Sequence, residues 1–365
     1  MTRDASLDLT AKEIRTAERL HMDAIVIDGL VPTTAYIADP EYRTHLASGG
    51  VTAGNVTVAS RSRFVDATER VQHCRSLVAD NDDAFTLVET AKDVRDAKDA
   101  GKTGVILGFQ DTMPIEPSER MQVNGGFEFL RAFHDMGVRV VQLTYNSMNY
   151  VGAGCCERTD PGLSNFGRTV VAEMNRLGVC IDLSHCGDRT TMEAISHSEK
   201  PVVISHAGAR AISNVKRNKT DEQLRAIADN GGVVGVSVFP PTVKTDPETH
   251  EVQAATIHDV LDHIDHVVSI AGIDHVGFGS DMNDKALDDG VTPPYAAYRN
   301  FRPEFSDVYG RGPIEEYEPF PRALHRHTEL PNLTRGLVAR GYSEPDVRKI
   351  LGENFLRVFE ANWGQ

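Results

Sequence analysis

The sequence predicts a (β/α)8 barrel, and three observations predict it. The stretch from Gly178 to Ala207, GVCIDLSHCGDRTTMEAISHSEKPVVISHA, reads as strand–helix–strand. Its runs Val179–Leu183 and Val202–Ile204 are short, β-branched and bounded by Gly, Pro and polar residues, while Asp188–Ser198 between them has helical composition. The same rhythm extends in both directions and gives eight candidate strands. They are Ala24–Leu30, Val51–Ala59, Thr103–Phe109, Val138–Thr144, Val179–Leu183, Pro201–Ser205, Gly232–Val238 and His275–Gly279. Helical segments lie between most of them, and eight such units favour a closed barrel over an open sheet.

Several helices carry their own start and stop signals. Phe127–Met136 and Phe166–Leu177 space their apolar residues helically and end before a glycine. Thr220 and Gln223 form a capping box before QLRAIADNGG, whose glycines stop the helix. The texture changes after the eighth strand. Asn283 to Pro331 is rich in Pro, Gly, Tyr and charge, too aromatic for a disordered tail, and reads as an ordered lid or oligomer contact. Two helices close the chain, one from Leu333 to Gly341 and one capped by Ser343. With no internal repeat or linker, the expected organisation is one domain: barrel 24–283, long loop 284–331, C-terminal helices 332–365.

Composition narrows the function classes. A net charge of −15 argues against nucleic acid and anionic membranes, which demand a basic face. The apolar runs fall short of the ~20 residues that span a bilayer. The first residues, MTRDASLDLTAKEIRTAERLH, are charged throughout and lack an apolar signal core, so a cytoplasmic location is expected. The five cysteines form no CxxC pair, and Cys180 alternates into a strand as a small core residue. The expected partner is a small molecule.

In a barrel the chemistry stands at the carboxyl ends of the strands. Those positions read Asp28-Gly29-Leu30-Val31-Pro32, Ser60-Arg61, Phe109-Gln110-Asp111, Thr144-Tyr145-Asn146, His185, His206 and Gly279-Ser280-Asp281. Two histidines in matched positions on adjacent strands, each preceded by Ser, can reach one metal ion. Asp281 can join them, or accept a proton from an activated water and return it to a leaving group. Arg217, between the sixth strand and a capped helix, can clamp a substrate carboxylate in a bidentate fork. The loop GAGCCERTDPG places Cys155, Cys156 and Glu157 beside the mouth, where turn chemistry and ligation are both open. His258, His263 and His266 read as surface or core fillers, and nothing in the spacing of His325-Arg326-His327 requires it to touch the site.

These residues resemble the membrane (renal) dipeptidase family, the M19 metallopeptidases of the amidohydrolase superfamily. The clearest stretches are GVCIDLSHCGD, PVVISHAGARAISNVKRNKTDEQLRAIADNGGVVGV, HVGFGSDMN and ARGYSEPDVRKILGENFLRVFE. The resemblance implies a (β/α)8 barrel with a two-metal site that hydrolyses dipeptides and related amides. It matches His185 and His206 to the second-metal histidines, Asp281 to the strand-eight aspartate and Arg217 to the substrate-carboxylate arginine. Four positions depart from the pattern. Leu30 and Pro32 stand where the first-metal His and Asp are expected, Gln110 stands for the bridging Glu, and Tyr145 for a substrate-contacting His. A neutral amide does not bridge two dications as a carboxylate does, so the expectation is a divergent bacterial branch that is not a standard dipeptidase. By analogy with one-metal amidohydrolases, one divalent ion, zinc, is expected on His185 and His206 with Gln110 or Asp281, and Arg217, Tyr145 and Asn146 are expected to contact substrate. The function expected is hydrolysis of a C–N bond in a small carboxylate-bearing molecule. A metal-free binding protein and a metal-dependent lyase are the alternatives.

Overall fold

The computed structural model describes residues 5–116, 127–288, 308, 310 and 320–363. Its nine strands are β1 (Ile27–Val31), β2 (Ala53–Ala59), β3 (Phe85–Leu87), β4 (Thr103–Phe109), β5 (Val138–Gln142), β6 (Cys180–Asp182), β7 (Val203–Ala207), β8 (Val233–Val236) and β9 (Val276–Phe278). All pairings are parallel, and β1 pairs with β2 on one edge and β9 on the other, which closes the ring (Ile27↔Ala53, Asp28↔Phe278). The eight expected strands form this ring, each within a few residues of its predicted bounds. The ninth strand, β3, takes the first half of one edge of β4 (Phe85↔Thr103), and β5 takes the second half (Leu107↔Val138). β6 and β9 are equally short but fully buried, whereas β3 buries only Phe85 and so lacks the apolar pattern that marks them.

Strands buried on both faces need unbroken apolar runs, and β4 is buried at all seven positions. The helices between strands are fixed at their ends. Capping boxes open the helices Ala11–Asp23 (Thr10/Glu13), Ala91–Ala100 (Thr90/Asp93), Asp221–Asp229 (Thr220/Gln223) and Ile257–Ala271 (Thr256/Asp259). Gly178, in the left-handed conformation (φ +80°), ends Asn165–Leu177 and feeds β6.

The barrel has a plugged base. Ile27, Ile106, Val140, Cys180, Val203 and Val233 form one buried cluster with Phe355 and Phe359 of the helix Asn354–Trp363. β9 contributes Gly277 at this level, where a Cβ would sit 2.6 Å from the Phe355 ring. Burial pushes the Cys180 thiol pKa up, as befits a core residue. Of the expected loop, positions 289–307, 309 and 311–319 lie outside the described residues. The closing helices run Pro331–Ala339 and, through a π-type turn at Lys349–Glu353, from Glu344 to Trp363. Among the described residues, no helix is long and apolar enough to cross a membrane.

Candidate active site

Asp182, the last residue of β6, organises the mouth of the barrel. Its Oδ1 accepts the Ser184 N–H (3.0 Å), the Ser184 hydroxyl (2.5 Å) and the Ser205 N–H (3.0 Å), and its Oδ2 accepts the Ser205 hydroxyl (2.5 Å). One buried carboxylate thus locks both Ser-His dipeptides in place. Asp28 repeats the device between β1 and β9. It accepts the Leu30 N–H (3.1 Å), the Ser280 N–H (2.7 Å) and the Ser280 hydroxyl (2.6 Å), and so fixes the turn that carries Asp281. Sequence reading passed over Asp182 as part of an apolar run. The signal was there, since a carboxylate inside such a run must be paired.

The two histidines meet above this clamp. His185 Nδ1 donates to Asn146 Oδ1 (2.7 Å). Ser205 gives its hydroxyl proton to Asp182, so its oxygen receives the proton on His206 Nδ1 (2.7 Å). Both Nε2 atoms are left with lone pairs, and they face each other at 3.1 Å. Burial first, and then the positive charge of Arg217, holds both imidazoles well below the ordinary histidine pKa, so both are neutral at neutral pH.

The remaining predicted residues stand at the ends of other strands or in the loops that follow them. Tyr145 stacks on the His185 ring (centroids 4.3 Å apart). Asn146, in a left-handed conformation (φ +62°), orients His185 and also accepts from the Cys155 thiol (3.7 Å). Gln110 is buried, with its Nε2 donating to Thr57 Oγ1 (2.8 Å). Asp281, also left-handed (φ +55°), donates its N–H to the Leu30 carbonyl (3.1 Å). Burial pushes its carboxyl pKa up to about 7, opposed by Arg217 and reinforced by Asp28. Arg217 is 1% exposed, and its two terminal nitrogens donate to the backbone carbonyls of Ser184 (2.6 Å) and His206 (3.0 Å). It therefore ties together the strand ends that carry the histidines, and each of those nitrogens keeps a second N–H. Lys219 braces the same region from below, with its ammonium on the carbonyls of Leu183 (2.8 Å) and Cys186 (3.2 Å).

A family model of membrane dipeptidases (peptidase family M19) matches residues 15–291 and 315–363. The chain belongs to the membrane dipeptidase family. Among relatives of this dipeptidase-family chain, an uncharacterised dipeptidase of Schizosaccharomyces pombe is 33% identical over 223 residues, 60% of this chain and 51% of that protein. Dipeptidase tcpJ of Claviceps purpurea is 30% identical over 296 residues, 80% of this chain and 58% of that protein. The chain thus spans between half and three-fifths of the length of these two relatives. An amidohydrolase from Pseudomonas aeruginosa superposes with a TM-score of 0.80 at 36% identity, covering 96% of this chain and 99% of its own. A metallopeptidase from Rhodobacter sphaeroides, bound to a phosphinate mimic of L-Ala-D-Ala, shares the fold at 23% identity and a TM-score of 0.73, covering 93% and 100%.

Membership in this family implies a metal, and the donor set can be tested for it. Two lone pairs 3.1 Å apart repel each other unless a cation lies between them. Two imidazole nitrogens on one tetrahedral ion, each about 2.0–2.1 Å from it, stand about 3.3 Å apart. The pair therefore fits one ion, with Asn146 and Ser205 as the outer partners that metal-binding histidines use to fix their tautomer. Among the described residues, no cluster of three or more His, Cys, Asp or Glu side chains has the form of a metal site. Leu30 is buried at the end of β1, and what it offers there is its backbone carbonyl, to Asp281 and Ser280.

Proposed function

We propose that this protein is a metal-dependent hydrolase that cleaves a C–N bond in a small, carboxylate-bearing substrate, with one divalent ion, zinc, at His185 and His206. The observation that carries this reading is the facing pair of Nε2 lone pairs, held neutral and oriented by Asn146 and Ser205. Gln110 and Asp281 are the further residues of the site assigned to the ion or to its water. When bound, such an ion supplies Lewis acidity at neutral pH.

The chain's own residues do the rest. Asp281, held at the end of the last strand by the Leu30 carbonyl, is assigned to take a proton from the attacking water and deliver it to the departing nitrogen. Arg217 adds positive charge beside both histidines and Asp281 and keeps N–H groups for a substrate carboxylate. Tyr145 walls the His185 side of the pocket.

Metal analysis of protein purified without added ions tests the reading. About one equivalent of a divalent ion is expected, falling to near zero in His206→Ala. Two equivalents in the wild type would restore the two-metal dipeptidase. None, together with tight binding of an amide that is not turned over, would favour a binding protein. Arg217→Lys is expected to weaken substrate binding by about 1.5–3 kcal/mol, measured as a rise in KM.

A further inference from the structure

Arg61 follows β2 in a left-handed conformation (φ +51°), which a non-glycine residue adopts at a cost. It is held there by Asp111, whose buried carboxylate accepts the Arg61 N–H at 2.5 Å and the Met113 N–H at 2.9 Å. This backbone lays the Arg61 guanidinium over the face of Tyr145, 5.2 Å from its centroid, within cation–π range. Tyr145 in turn stacks on His185. The guanidinium is thus within about 10 Å of the imidazole, the reach of an extended two-residue molecule with a side chain.

Arg61 also lines a cavity of about 430 Å³ at the ends of β1 and β2, beside Pro32, Thr57 and Ser60. Two arginines, Arg61 and Arg70, one histidine, His73, and four hydroxyl residues line it, with no aspartate or glutamate among the described lining residues. Thr57 links it to the site, since its hydroxyl accepts from Gln110.

We propose that this cavity is an anion subsite, and that the substrate carries a second carboxylate on its amino-terminal side, remote from the one that Arg217 takes. The inference rests on the hydrolase reading above and specifies its substrate class: an amide or dipeptide-like molecule with an acidic first residue. Arg61 supplies the bidentate contact, Arg70 supplies positive potential at the rim, and the hydroxyls complete the carboxylate's hydrogen bonds.

The test compares the zinc-loaded wild type on a dipeptide that begins with glutamate and on the same dipeptide beginning with glutamine. The acidic substrate is expected to be favoured by about 10- to 100-fold in kcat/KM, the worth of one charge-assisted contact. Arg61→Gln should bring that ratio close to one, and Arg70→Gln should lower it less. Calorimetry with glutarate gives a second readout that needs no turnover, with affinity expected to fall about tenfold in Arg61→Gln. A wild-type ratio near one overturns the subsite and leaves the hydrolase reading standing. Arg61-dependent glutarate binding without hydrolysis of any amide supports the subsite and overturns the reaction. Glutarate affinity unchanged in both arginine variants overturns the subsite, and tighter binding of phosphonopropionate than of glutarate overturns its assignment to a carboxylate.

Discussion

His327 is a buried imidazole between two buried carboxylates, and it makes the mouth of the barrel pH-dependent. Its Nε2 faces Asp28 Oδ2 at 3.0 Å and its Nδ1 faces Asp284 Oδ1 at 3.4 Å, while half-buried His45 reaches the other oxygen of Asp284 at 2.7 Å. Burial alone would depress the pKa of His327, but hydrogen bonds and charge from Asp28 and Asp284 outweigh it and hold the ring up to about 9. The folded value lies above the ordinary value near 6.5, so the proton stabilises the fold fully below about pH 6.5. That contribution is lost as the pH rises through about 9. His327→Gln leaves the two carboxylates without their counter-charge and is expected to cost about 3–5 kcal/mol near pH 6. In urea unfolding, the gap between wild type and variant should narrow steadily from pH 6.5 to 9. A gap that stays constant would mean that His327 is neutral in the folded protein. Nothing in the spacing of His325-Arg326-His327 shows this role, because its partners are 299 and 43 residues away. Residue type was legible at Arg217 too, but direction was not. Sequence shows a guanidinium near the mouth, whereas its first two bonds go to backbone carbonyls inside the protein.

At the scale of elements, the ring of strands was legible because each lies in a short, mostly apolar run between punctuating residues, and β3 was not because it is short and only partly buried. Less visible is how closely the strands approach one another inside the ring. A Cβ on Gly279 would sit 1.8 Å from the Ser205 carbonyl oxygen, and one on Gly235 would sit 2.1 Å from the same atom. Gly29 closes in from β1, at 2.5 Å. Bare backbone on three strands thus lets the His206-bearing strand lie deep in the barrel. Gly279→Ala must push backbone against backbone and is expected to cost more than the about 1–3 kcal/mol of ordinary overpacking. Gly101 makes the control, since it is left-handed (φ +66°) with open space around it, and Ala there should cost about 1–2 kcal/mol. Thermal unfolding of the two variants separates the cases, and equal shifts in Tm would refute the close approach.

For the molecule as a whole, the helix Asn354–Trp363 fills the barrel floor, with Phe355 against the glycines of β1, β8 and β9. Phe355→Ala is expected to cost about 3–5 kcal/mol, measured by chemical denaturation, because the surrounding strands cannot collapse into the gap. A loss below about 1 kcal/mol would show that the floor is filled by something else. The plug follows the nine described strands, and the ring closes by pairing its first strand with its last. A ribosome that has not yet released β9 therefore holds a curled sheet with two open edges and no plug beneath it. Such an intermediate leaves the apolar residues of the barrel floor uncovered, and its exposed edges are sticky. Closure of the ring for that reason waits for its last strand, and holdase chaperones should matter to the yield of this protein more than to its stability once made.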